Sequence, residues 1–168
     1  MRKKRLLQLT AALLCAVILS ACGGTPADAD YTCATILDNM DQCAESKKEL
    51  VPADGVILPP TEVAFAEGES AFDVLQRVCR DNGIHLESKF TPVYNSAYIQ
   101  GIHNIYEFDV GKLSGWMYAV NDWFPNYGCS LYQVQDGDVI RWVYTCDLGA
   151  DVGGGQAAGD GQQEGAST

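Results

Sequence analysis

The chain has 168 residues, 22 of them acidic and 11 basic, for a formal net charge of −11, and 47% are hydrophobic. Four of the basic residues (Arg2, Lys3, Lys4 and Arg5) occupy the first five positions, so the remainder is more acidic still. This balance argues against a grip on nucleic acid, whose phosphates select for Lys and Arg, and against an electrostatic hold on anionic lipid. The apolar content is that of one core-forming domain.

Residues 1–21 combine a basic start with an apolar run from Leu6 to Ile18, the pattern of a signal peptide. The run is too short for a confident membrane span. Leu19-Ser20-Ala21-Cys22 resembles a bacterial lipobox. That resemblance implies cleavage before Cys22 and a diacylglycerol thioether on Cys22, hence an extracytoplasmic protein tied to the cell membrane by its lipid anchor. Each buried acyl CH₂ contributes about 0.8 kcal/mol to such anchoring. Residues 22–30 then read as the lipidated Cys and a tether, with the domain starting near Tyr31.

Residues 31–37 are β-prone and predict a first strand. Positions 38–50 are polar, with room for a short helix. Pro52, Gly55, Pro59 and Pro60 predict a loop over 51–60. Residues 61–67 alternate, with Val63 and Phe65 on one face of a half-buried strand. Ser70 and Asp73 form a capping-box pattern that opens a helix over about 71–81. Phe72, Leu75, Val78 and Cys79 supply its apolar face, and Asn82-Gly83 its stop.

A strand is predicted over 84–90, a turn at Pro92 and Asn95, and two short extended pieces around Gly101. Gly115 to Asn121 reads as a strand with Trp116, Tyr118 and Val120 on one side, followed by a turn at Asn121-Asp122. Residues 122–130 form an aromatic loop. After Asp136-Gly137-Asp138, Val139 to Thr145 is a last strand, apolar on both faces and therefore central, in which Arg141 needs a partner. Residues 151–168 are Gly-rich and hold no aromatic, as in a disordered tail. The order predicts an α+β fold over 31–150, a β-grasp-like mixed sheet with one main helix packed on it.

Seven Cys are present. With Cys15 in the signal and Cys22 lipidated, Cys33, Cys43, Cys79, Cys129 and Cys146 remain, an odd set whose spacing dictates no pairing. No Cys-x-x-Cys and no Cys–His cluster suggests a metal. No nucleophile–base motif, phosphate loop or dinucleotide fingerprint occurs, so the chain reads as a non-enzyme.

Ser114-Gly115-Trp116-Met117-Tyr118-Ala119-Val120-Asn121, with Phe124-Pro125-Asn126, Gly128, Gly137-Asp138-Val139-Ile140 and Trp142-Val143-Tyr144, resembles domain-of-unknown-function family 4430. Gly68 to Leu75 looks like that family's segment before its helix. The family is similar to the C-terminal β-domain of transcobalamin and intrinsic factor. The resemblance implies a β-grasp fold and cobalamin or another corrinoid as ligand, with no covalently bound cofactor. The vertebrate carriers add a large helical barrel over the ligand, for which these residues leave no room, so a lone β-domain offers only part of the contact surface.

Trp116, Tyr118, Trp123, Phe124, Tyr127, Trp142 and Tyr144 crowd one stretch, and rigid rings suit a corrin ring, a sugar face or a peptide. On strands such residues are more often core. In the loop, Trp123, Phe124 and Tyr127 weigh evenly between core and binding. Asn121 and Asn126 could pair with ligand amides or hydroxyls, although turn formation weighs more. The candidate ligand-binding set is therefore Trp116, Tyr118, Asn121, Trp123, Phe124, Asn126 and Tyr127. His85 and His103 as cobalt ligands, and Asp136 and Asp138 as calcium ligands, are weaker readings than surface histidines and a turn. The expected function is a surface-anchored lipoprotein that binds a small ligand, a corrinoid foremost, and delivers it to a membrane transporter component. The alternative is a surface adhesion or glycan- or protein-binding module without transport.

Overall fold

Residues 26–154 are described by the structure, a computed structural model. The expectations for the signal peptide, for lipidation of Cys22 and for positions 155–168 fall outside these residues.

Among the described residues, seven strands and one α-helix build the domain: β1 (Ala27–Thr32), β2 (Val56–Val63), α1 (Ala71–Asp81), β3 (Leu86–Thr91), β4 (Ser96–Ile102), β5 (Ile105–Tyr106), β6 (Gly115–Val120) and β7 (Val139–Thr145). A four-stranded mixed sheet runs β2-β1-β7-β6, with β1 parallel to β7 and the other pairs antiparallel. A second, antiparallel sheet runs β3-β4-β5. This is the expected α+β architecture. Strand β7 is interior because both of its faces are apolar: Ile140, Trp142 and Tyr144 enter the core, while Val143 is covered on the opposite side.

The core gathers those three with Tyr31, Trp116 and Tyr118, the helix residues Val74, Leu75 and Val78, and Ile99, Ile102 and Ile105 of the second sheet. Full burial of each aliphatic side chain contributes roughly 1.5–3 kcal/mol. Helix α1 starts where the capping box places it. The Asp73 amide donates to Ser70 Oγ (3.2 Å), and the Ser70 amide donates to the Asp73 carboxylate (2.9 Å). Asn82 closes the helix through Nδ2–H to the Val78 carbonyl (2.9 Å). Among the described residues, no helix is long and apolar enough to cross a membrane.

Four expectations need correction. The first strand begins at Ala27, so residues 27–30, assigned to the tether, belong to β1, and 34–39 form a 3₁₀ helix. Ala27, Ala29 and Tyr31 alternate inward against Asp28, Asp30 and Thr32, but alanines and aspartates are weak strand formers and mask that period. Pro59 and Pro60 lie within β2 rather than in a loop. They are tolerated because β2 is an edge and because pairing jumps there from Ala29↔Thr61 to Tyr31↔Leu58, a bulge that needs no amide from either proline. The strand expected over 61–67 accordingly ends at Val63.

The two extended pieces expected around Gly101 divide instead at a turn of His103-Asn104 (φ +56° and +59°), and Gly101 lies within β4. Gly101 is required for another reason: a Cβ there would lie 2.8 Å from the Tyr106 ring. Finally, residues 151–154, expected in the tail, are built onto the sheet. The Asp151 carboxylate accepts from the Thr145 hydroxyl and the Cys146 amide (2.7 Å), and the Gly154 amide donates to the Gly149 carbonyl (2.7 Å).

Candidate functional site

The aromatic loop leaves β6 through a two-residue turn. Asn121 and Asp122 have φ of +51° and +64°, and Val120 and Trp123 exchange backbone hydrogen bonds of 2.8 and 2.9 Å. Such a turn favours Asn and Asp because they tolerate positive φ. The Asn121 amide donates to Asp138 Oδ1 (2.9 Å), and its oxygen accepts from the Val139 amide (2.9 Å). Asn121 therefore braces the loop against β7, and it does not line the cleft between the loop and the β3–β4 hairpin.

The far end of the loop is fixed to β4. The Ser96 and Ser130 hydroxyls are 2.9 Å apart, the Ala97 amide donates to Ser130 Oγ (3.0 Å), and Cys129 Sγ donates to the Ala97 carbonyl (3.7 Å). Gly128 lies against Ser96 so closely that a Cβ would come within 1.7 Å of the Ser96 hydroxyl. The Tyr118 hydroxyl donates to the Tyr127 carbonyl (2.9 Å), tying the loop's middle to β6.

This anchoring leaves a cleft of about 290 Å³ between the loop and the β3–β4 hairpin, lined by Tyr94, Tyr98, Asn126, Tyr127 and Leu131 with Thr91, Ser96, Ala97, Pro125 and Gly128. Its apolar side chains face solvent: Tyr94 is 72% exposed, Leu131 47% and Tyr127 40%. Trp123 (48% exposed) packs edge-on to Tyr127 at 6.0 Å and extends the aromatic wall. The Lys89 ammonium sits 5.2 Å over the Tyr98 ring, and the Tyr98 hydroxyl donates to the Glu107 carboxylate. Burial and the Glu107 charge push the Tyr98 phenol up to about 12, so it stays a neutral donor at physiological pH. Burial likewise holds the Cys129 thiol, behind the cleft, at about 12 and keeps it unreactive.

The candidate residues are thus divided by the structure. Asn126 and Tyr127 line the cleft and Trp123 flanks it. Phe124 turns to the other side of the sheet, where it walls a second pocket with Ala119, Arg141, Val143 and Val152. Trp116 and Tyr118 are core: the Trp116 indole donates to the Ile105 carbonyl (2.8 Å) and packs edge-on to Tyr144 (5.3 Å), while Tyr118 stacks on Trp142 (5.6 Å). Neither presents a free face, so both leave the ligand set. Trp142 and Tyr144 are buried as well. His85 packs near Tyr106 (5.9 Å) and His103 forms the β4–β5 turn, so neither lines the cleft. Asp138 is a buried acceptor for Tyr132 and the Gln135 amide (both 2.8 Å), in keeping with a turn. No group of three His, Cys, Asp or Glu side chains suited to a metal occurs among the described residues.

Sequence reasoning missed Tyr94, Tyr98 and Leu131. The available signal was Val93-Tyr94, two apolar residues inside a turn bounded by Pro92 and Asn95, where burial is not expected.

Residues 68–146 match the model of a family described as "Domain of unknown function (DUF4430)". Strands β1 and β2 precede that span yet complete its sheet. The fold is similar to that in the crystal structure of haptocorrin in complex with Cbi, with a TM-score of 0.54 and 12% identity over 75% of this chain. This chain spans only about a quarter (26%) of that chain's length. A Ruminococcus gnavus protein provisionally named as metal binding aligns with a TM-score of 0.44 and 14% identity, over 72% of this chain and 96% of that one. None of the curated proteins matches.

Proposed function

Starting from a chain that carries a DUF4430 domain on a haptocorrin-like fold, we propose that it is a lipid-anchored, extracytoplasmic binding protein whose ligand is cobalamin or a related corrinoid. It binds without turnover and passes the ligand to a membrane transporter. The observation that carries this reading is the solvent-facing aromatic cleft of Tyr94, Tyr98 and Tyr127 beside Trp123. A monomer rarely leaves so much aromatic surface open without a partner for it.

The chemistry of the cleft suits a flat, amphipathic ligand. The rings offer apolar faces, while the Asn126 amide supplies both a donor and an acceptor. Corrinoids present a broad apolar face fringed by amide side chains, which such a wall can stack against and hydrogen-bond. The likeness to haptocorrin, solved with Cbi, supports this class. The cleft is open, so it contacts one side of so large a ligand and the affinity depends on few contacts.

The test is a calorimetric titration of the full chain, in detergent, with cobinamide and with cyanocobalamin. Saturable binding at micromolar level or better is the expected result, and the difference between the two ligands reports whether the lower base is read. Absence of heat with both, together with binding to immobilised glycans, would replace the reading with that of a glycan-binding surface module.

A further inference from the structure

The second pocket lies on the opposite side of the four-stranded sheet and has no part in the corrinoid reading. It encloses about 350 Å³, at the small end of small-molecule sites. Val143, Ala119, Phe124 and Val152 line it, with Thr32 and Thr35 beside them. The wall at Val152 is a constructed one. Gly149 and Gly153, with φ of +93° and +85°, bracket a 3₁₀ turn that the Asp151 carboxylate pins to Thr145 and Cys146.

One rim of this apolar pocket carries a cation between two carboxylates. Arg141 Nη1 donates to Asp122 Oδ1 (2.8 Å), and Arg141 Nε lies 3.5 Å from Asp30 Oδ1. Neither Arg141 Nη2 nor Asp122 Oδ2 has a hydrogen-bond partner among the described residues. The Asp30 side chain is largely covered, whereas that of Asp122 is 82% exposed. An exposed pair of this kind contributes little to stability and exchanges partners readily.

A free guanidinium edge and a free carboxylate edge side by side, over an apolar hollow, complement a zwitterion with an apolar body. A lone anion would meet Asp30 and Asp122, and a lone cation would meet Arg141. We propose that this pocket is a separate binding site for a free apolar α-amino acid. Its carboxylate accepts from the free Arg141 Nη2 in a charge-assisted hydrogen bond, its ammonium engages Asp122 Oδ2, and its side chain lies between Phe124 and Val143. The loop 121–131 thereby serves two sites, with Phe124 facing one and Tyr127 the other.

The experiment is a calorimetric titration of the full chain with L-phenylalanine and L-leucine, against phenethylamine (no carboxylate), 3-phenylpropionate (no ammonium) and glycine (no apolar body). Saturable binding of the two amino acids is expected, each truncated ligand binding weaker by about tenfold or more, as for loss of one charged contact. Asp122→Asn keeps a residue that tolerates φ of +64°. It should lower amino-acid affinity by about tenfold while leaving the melting temperature and cobinamide affinity unchanged. Lack of saturation by either amino acid at about 10 mM, roughly ten times a Kd of 1 mM, would overturn the proposal. So would equal affinity for phenethylamine, or unaltered affinity in Asp122→Asn.

Discussion

Trp116 and Trp123 lie seven positions apart and both entered the candidate ligand set, but the structure assigns them opposite consequences on substitution. Replacing Trp116 with Phe removes the indole N–H that satisfies the Ile105 carbonyl at 2.8 Å, in a site where Ile105 is fully buried. Loss of one buried hydrogen bond costs about 1 kcal/mol net. The smaller ring adds a void and loosens the edge-on contact with Tyr144. The sum is about 2–3 kcal/mol, which for an m-value of about 2 kcal/mol/M lowers the urea midpoint by about 1–1.5 M. Trp123→Phe removes no indole hydrogen bond among the described residues and alters a half-exposed contact with Tyr127, so its midpoint should move by less than about 0.3 M, as for surface substitutions generally. Equilibrium unfolding followed by far-UV circular dichroism compares the two. Equal midpoints for the variants, or a larger loss in Trp123→Phe, would refute the division of the aromatics into core and site.

Gly128→Ala places a methyl where Ser96 Oγ stands, so the loop must lift from β4. Overpacking of this kind costs about 1–3 kcal/mol, and the variant should melt earlier and lose corrinoid affinity together; wild-type values for both would show that the loop is not clamped there. Burial raises the Cys33, Cys79 and Cys129 thiols from 9.0 to about 12. The unfolded chain then sheds these protons first, so stability is whole below pH 9.0 and falls as pH rises toward 12. Urea midpoints measured on either side of pH 9.0 should decline on the alkaline side, and an unchanged midpoint would contradict the burial of these thiols. Iodoacetamide on the native chain at pH 8, about one unit or less from an ordinary thiol's pKa, should modify half-buried Cys146 well before those three, with peptide mass mapping as the readout.

How much was legible in the sequence depended on whether a local pattern agreed with its tertiary setting. Ser70 and Asp73 bond to each other across one helical turn, so the start of α1 needed no long-range information. Strand β7 was placed as central because two apolar faces demand cover on both sides, and the partner expected for Arg141 proved to be Asp122 with Asp30. Strand β1 was misplaced because its inward residues include two alanines, whose burial comes from the neighbouring strands β2 and β7 rather than from their own β-propensity. Pro59 and Pro60 read as breakers until the bulge and free edge of β2 removed the need for their amides. The site was half visible. Tyr127 and Asn126 belong to the aromatic loop, but Tyr94 and Tyr98 join them only because Ser96, Ala97 and Ser130 bring the β3–β4 hairpin against that loop from more than thirty positions away. Phe124 could not be separated from its neighbours, since the side of the sheet it takes is set by the turn at Asn121-Asp122.

The most direct test of the central claim is the corrinoid affinity of a Tyr94→Ala, Tyr127→Ala double variant relative to wild type, by calorimetric titration with cobinamide. Both rings are exposed wall residues of the cleft. The account predicts an affinity loss of about tenfold or more, as for removal of two aromatic contacts, with an unchanged unfolding midpoint. Wild-type affinity in a folded double variant would place the corrinoid elsewhere and contradict the assignment of the cleft.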